Sequence, residues 1–166
     1  MGGTPTSSTN RSENTERDRC TAALLISVAA TLYMAGVNWF LQVVHHPLYD
    51  RIGRDGFAAY ETAYNRLIGP VIILPSIVAI LAALALLVQR PAGVPFWSVL
   101  VALALLAAAV VSTVELQAPQ HAILSRGFDE RAYRTLLRTQ WIRTLAWTAG
   151  GIVALTMVAD ALNRAS

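Results

Sequence analysis

Two sets of polar residues at four-residue spacing interrupt otherwise apolar stretches: Asn38, Gln42 and His46, and later Thr113, Gln117 and His121. Residues four apart share one helix face, so each set forms a polar stripe. Imidazoles can take or give a proton near neutral pH, and amides can orient a ligand by hydrogen bonding. Glu115 is the one acidic residue well inside an apolar block, and Arg143 stands at the start of the last one. A carboxylate at that depth pairs with something or acts on something, and Arg143 is its expected partner. Glu115, His46, His121 and Arg143 therefore form a candidate catalytic set, with Arg143 placed to stabilise an anion. Asn38, Gln42, Thr113 and Gln117, with Trp39 and Trp141, are candidate substrate contacts. The opposing reading makes the amides and Thr113 interhelical hydrogen-bonding glue, and Glu115–Arg143 a structural ion pair.

The elements that must position these residues follow from composition. Hydrophobic residues make up 55% of the 166 and charged residues 14%, against about 25% charged in soluble domains. The apolar residues fall in four blocks, read as spans 22–44, 67–88, 95–118 and 142–161. Each is about the 20 residues a helix needs to cross the hydrocarbon core; the fourth reaches that length if Arg143 snorkels and Trp141 sits at the interface. The fold expected is all-α: an integral membrane four-helix bundle over residues 20–163, behind a disordered polar tail at 1–19. An ordinary soluble enzyme and a nucleic-acid binder are both excluded. A multi-pass protein of a cell membrane, such as a bacterial inner membrane, is implied, with the lipid bilayer as its first partner.

The connections carry further signals. Gln89–Val94, with Pro91 and Gly93, is a tight turn, whereas the other two are about twenty residues long. Phe57, Tyr60, Tyr64, Leu67 and Ile68 in one, and Phe128, Ala132 and Leu136 in the other, recur at helical spacing. Both read as amphipathic helices lying on the membrane or capping the bundle. The arginines divide eight (51, 54, 66, 126, 131, 134, 138, 143) to five (11, 17, 19, 90, 164) between the two sides, which favours the long connections inside, while the tail arginines next to the first span argue the other way. Gly150, Gly151 and Ala154 suit close helix approach, while Pro70 and Pro75 are expected to kink the second span. Met1-Gly2 with Thr6 fits a myristoylation pattern, and Asn10-Arg11-Ser12 a glycosylation sequon.

The halves look duplicated. Leu41-Gln42 with His46 matches Leu116-Gln117 with His121, and each is followed by Gly-Phe (Gly56-Phe57, Gly127-Phe128) and a tyrosine (Tyr60, Tyr133). The bundle is thus read as two pseudo-repeated helical hairpins. Such symmetry admits a bis-histidine haem b, with one axial ligand each from His46 and His121, as an alternative to a site needing no cofactor. Three histidines and one cysteine are too few for a zinc cage of His and Cys, and no metal is expected.

The run Asn38-Trp39-Phe40-Leu41-Gln42-Val43-Val44-His45-His46-Pro47-Leu48-Tyr49, with Gly56-Phe57 and Tyr60-Glu61, resembles an uncharacterised family of small bacterial four-span membrane proteins. Pro119, His121, Leu124 and Gly127-Phe128-Asp129, followed by Gln140-Trp141-Ile142-Arg143-Thr144, fit the same family. More distantly, residues 115–145 resemble the anthrone-oxygenase-like membrane family, although His121 stands where an amide is expected. That resemblance implies cofactor-independent oxidation of a hydrophobic aromatic substrate. The function expected is an action on a hydrophobic small molecule, by proton transfer or oxygenation of an aromatic, polyketide or quinone-like compound. The alternative is a non-enzymatic helper subunit or carrier, working with a membrane partner or as a homo-oligomer.

Overall fold

The computed structural model describes residues 7–165. Among the described residues the chain is all-helical, and four helices are long and apolar enough to cross a membrane. Helix α1 runs Ser7–Phe40, followed by a π-helical turn at Leu41–His45 and a 3-10 turn at His46–Arg51. Helix α2 is Arg54–Val88. Helix α3, Phe96–Ser112, passes through a second π turn at Thr113–Gln117 into the short α4, Ala118–Leu124; these three form the third span. Helix α5 is Glu130–Ala165.

Two expectations change. The tail is helical from Ser7 onward, because extending an existing helix costs far less than starting one, and Thr15 Oγ1 donates to the Arg11 carbonyl within it. The myristoylation pattern at residues 1–6 lies outside the described residues, as does the Asn10 side chain of the sequon. The amphipathic segments are not separate helices lying on the membrane: they are the first turns of α2 and α5, which run unbroken for 35 and 36 residues. At a rise of about 1.5 Å per residue, α2 is about 52 Å long, against about 30 Å of hydrocarbon, so its N-terminal turns stand clear of the apolar core. There they cap the bundle, where Tyr49, Phe57, Leu124, Ala132, Tyr133 and Leu136 pack into one buried cluster. Pro70 and Pro75 both lie inside α2.

Inside the bundle the core is built from small residues, among them Ala30, Ala79, Ala83, Ala109 and Ala146, with Met34 and Trp147 filling between them. Large apolar side chains such as Leu25, Leu74, Leu81 and Leu155 point outward, as expected where lipid replaces water and close packing drives association. Glycines let α5 approach α1 closely. A Cβ on Gly150 would lie 3.3 Å from Thr31 Cγ2, and one on Gly151 3.0 Å from Leu32 Cδ2. At the other end, Gly93 takes φ +94° in the Pro91–Val94 turn, and a Cβ there would stand 2.6 Å from the Asp160 carbonyl oxygen.

The packing is lopsided. Helix α1 packs closely on α2 and α5, and α3 on α5, but α2 meets the third span more loosely. Two equivalent hairpins about a pseudo-axis would close the α1–α5 and α2–third-span seams alike, so the packing lends the duplication no support.

Candidate functional site

The polar residues gather at the cap end, where both π turns lie. In each, one backbone N–H reaches back five residues, from His46 to Leu41 and from Ala118 to Thr113. Each wide turn stands just ahead of a proline, Pro47 or Pro119, whose ring cannot fit against the carbonyl four residues back. The extra residue re-aims the side chains that follow, a common use of π bulges at functional sites.

Asn38, Gln42 and His46 are all buried on the inner face of α1 and its extension. Asn38 and Gln42 tie helices together. Gln140 Nε2 donates to Asn38 Oδ1 at 3.1 Å, and Gln42 Nε2 to the Leu137 carbonyl at 3.4 Å. Gln117 makes the matching tie, donating to the Thr139 carbonyl at 3.0 Å and to Ser112 Oγ at 2.9 Å. Thr113 spends its hydroxyl on the Ala109 carbonyl of its own helix.

Glu115 does not join this cluster. It lies on the exposed face of the third span and forms no ion pair with Arg143 among the described residues. Two residues before the buried Gln117 it is about 200° around the helix, on the opposite side. The buried carboxylate is Glu61 of α2, with no exposed surface. Its Oε1 is 2.5 Å from His121 Nδ1 and accepts from Asn65 Nδ2 at 3.2 Å. Asn65 also donates to Ser125 Oγ, which donates in turn to the His121 carbonyl. His121 is thus held at its ring and its backbone, leaving Nε2 for a ligand.

Aromatic rings wall the pair. His45 stacks on Tyr64 with centroids 4.2 Å apart, and Tyr64 is 5.9 Å from the His121 ring. The Tyr49 ring, fully buried, packs edge-on to both His45 and His46. Trp39 and Trp141, by contrast, are each about two-fifths exposed, packing edge-to-face on the outside of the α1–α5 seam, where Trp39 Nε1 donates to Thr148. Their amphipathic indoles suit an outer, interfacial position, and neither lines the cavity described next.

Between α2 and the third span lies a cavity of about 400 Å³. Its polar wall includes His121, Gln117, Tyr64, Asn65 and Arg143, and its apolar wall Ile68, Ile72, Ile73, Ala118 and Ala122, with Gly69 at the seam. Arg143 is 4% exposed. Its Nη1 is 3.5 Å from Gln140 Oε1, while Nε and Nη2 have no partner. Nine buried side-chain nitrogen and oxygen atoms lack a hydrogen-bond partner among the described residues, and all belong to this cluster: on His45, His46, Tyr49, Glu61, Arg143 and the oxygens of Gln42 and Gln117. Such a group costs about 1–3 kcal/mol when left unpaired, so their concentration at one place marks it as built for something other than stability.

The arrangement does not suit a haem. The His46 and His121 rings are 5.8 Å apart and inclined at 52°, but Tyr49 packs on His46 and Tyr64 contacts both rings, occupying space a porphyrin would need. His121 Nδ1 is taken by Glu61 and His46 is 1% exposed.

Fold and site together define a class: an all-helical bundle with four helices long and apolar enough to cross a membrane, and a buried Glu61–His121 pair beside a cavity in one loose seam. Comparison with family models, curated proteins and solved structures finds no match, so the family resemblance rests on the sequence motifs alone.

Proposed function

We propose that this protein is a multi-pass membrane protein, of the bacterial inner membrane as the family resemblance implies, that binds a weakly acidic hydrophobic small molecule and exchanges a proton with it. The observation that carries this reading is that His121, bonded to the buried Glu61, lines the same cavity as Arg143, two of whose nitrogens are unpartnered. A carboxylate on one imidazole nitrogen fixes the ring's orientation and tautomer, so the other nitrogen can accept a proton. His121 is the acid–base group in contact with the ligand, and Glu61 is a positioning residue acting through it. Arg143 receives the negative charge left on the ligand. In the forward step the ligand's acidic bond to hydrogen breaks, the electron pair stays on the ligand, and the proton joins His121 Nε2. The oxidation implied by the distant resemblance would begin with this same deprotonation. His46 and Tyr49 pack behind the pair.

The test is calorimetric binding of a panel of lipophilic weak acids (a long-chain carboxylic acid, an alkylphenol and a quinol) to the detergent-solubilised protein, in buffers of different ionisation heat. At least one should bind with uptake of about one proton when supplied as its anion, and His121→Asn should remove the uptake. Binding without proton linkage across the whole panel refutes the reading.

A further inference from the structure

The chemical class of the ligand is written in which edge of Arg143 is free. Nη1 faces Gln140, whereas Nε and Nη2 are both unpartnered. Those two nitrogens carry parallel N–H bonds on one side of the guanidinium plane, a two-pronged donor that matches two coplanar oxygens on one carbon. Arg143 is nine-tenths buried or more and is one of the residues around the cavity, and both free nitrogens are shut off from the surface, so the fork is not a surface accident.

Charge narrows the class. Among the cavity-lining residues Arg143 is the only arginine, the chain has no lysine, and His121 is engaged by Glu61. One guanidinium balances one negative charge. A phosphate monoester, at about −1.5 to −2 near neutral pH, would bring excess charge close to a buried carboxylate. Shape narrows it again. Beyond the polar wall the lining is aliphatic, and the seam residues Ile73, Ala118 and Ala122 are exposed on the lipid-facing surface. A Cβ on Gly69 would meet only Ile73 Cδ1, at 4.0 Å, so the seam there has room.

We infer that the cavity takes a lipophilic monocarboxylic acid sideways from the bilayer, between α2 and the third span, and holds its two oxygens on Nε and Nη2 of Arg143. The acid enters neutral, which spares the cost of moving a charge through hydrocarbon. Its O–H bond then breaks, the proton passes to His121 Nε2, and the carboxylate seats on Arg143. A carboxylic acid is intrinsically a stronger acid than an imidazolium, so the transfer runs in that direction. This last step rests on the acid–base reading above; the binding does not.

The experiment is competition for radiolabelled hexadecanoic acid on the detergent-solubilised full-length protein, against unlabelled hexadecanoic acid, hexadecanol and hexadecyl phosphate. Hexadecanoic acid should displace the label at least about tenfold better than either competitor of equal chain length, since 1.4 kcal/mol of a charged hydrogen-bonded pair is worth that factor. Arg143→Lys keeps the charge but loses the fork, and should weaken binding about tenfold. Gly69→Leu, which fills the seam from its outer side, should weaken it as much and carries the test if Arg143 variants fail to fold. Equal displacement by hexadecanol, a preference for hexadecyl phosphate, or unchanged binding in folded Gly69→Leu overturns the inference. Proton uptake is read separately: fork-dependent binding without it removes the acid–base reading and leaves the carboxylate site standing.

Discussion

Replacing Glu61 by Gln is the sharpest perturbation of this site, because it changes charge and one donor while keeping shape. In the native protein the carboxylate accepts from His121 Nδ1 and from Asn65. A hydrogen bond to a charged group is worth about 1.5–3 kcal/mol and a neutral one about 0.5–1.5. The difference between the midpoints, about 1.2 kcal/mol, is a factor of about eight in how well the ring is held when it carries the ligand's proton. A second effect adds to it: the new amide can donate to Nδ1, which would leave the proton on Nε2 and remove the acceptor that faces the ligand. Proton uptake on binding should fall from about one to near zero per ligand, and affinity for the anion by at least about tenfold. The assay is titration calorimetry in two buffers of different ionisation heat. The fold should survive, since Gln keeps the shape of Glu and one of its two contacts, to His121 or to Asn65, and the thermal midpoint should stay within a few degrees. Glu61→Leu, which strips His121 and Asn65 of an acceptor, should cost about 1–3 kcal/mol for each group left unpaired. If Glu61→Gln binds with its proton uptake intact, the pair is packing and the acid–base reasoning is wrong.

Three further outcomes follow from the geometry. Glu115→Gln should leave ligand binding and stability within about 0.5 kcal/mol of the parent, because Glu115 is exposed and away from the cavity; a large loss in the same assays would return it to the site. Gly150→Val should overpack the α1–α5 seam against the buried Thr31 and cost about 1–3 kcal/mol in denaturant unfolding, and an unshifted transition would contradict the close approach. Gly93→Ala combines positive φ with a 2.6 Å approach to the Asp160 carbonyl and should lower the thermal midpoint by an amount equivalent to about 1–3 kcal/mol; an unchanged midpoint would show that the turn adopts another conformation.

Much of the site was legible before the fold was in view, and what was missed was missed for identifiable reasons. The four-residue spacing of Asn38, Gln42 and His46 correctly placed them on one inward face, and Gln117 and His121 on another. Glu115 drew attention by its rarity, yet its spacing from Gln117 already put it on the other side of the same helix. Glu61 was overlooked because an acid beside Tyr60 in an amphipathic segment looks like part of a solvated face. Its spacing from Phe57 and Tyr64, four and three residues, is the signal that would have found it, since both share its inward stripe. The stacking of His45 on Tyr64 became visible only with the cap assembled.

By itself the sequence determined the number of spans, the small-residue seam at Gly150 and Gly151, and the end of the bundle where polarity gathers. Those are properties of one helix at a time, readable from length and period. Only the tertiary structure decided that the α1–α5 seam closes while α2 stands off the third span, that Glu61 meets His121 across 60 residues of chain, and that one edge of Arg143 is left free. Each depends on how four helices share one interior, where a side chain's partner is set by the packing of helices it does not belong to.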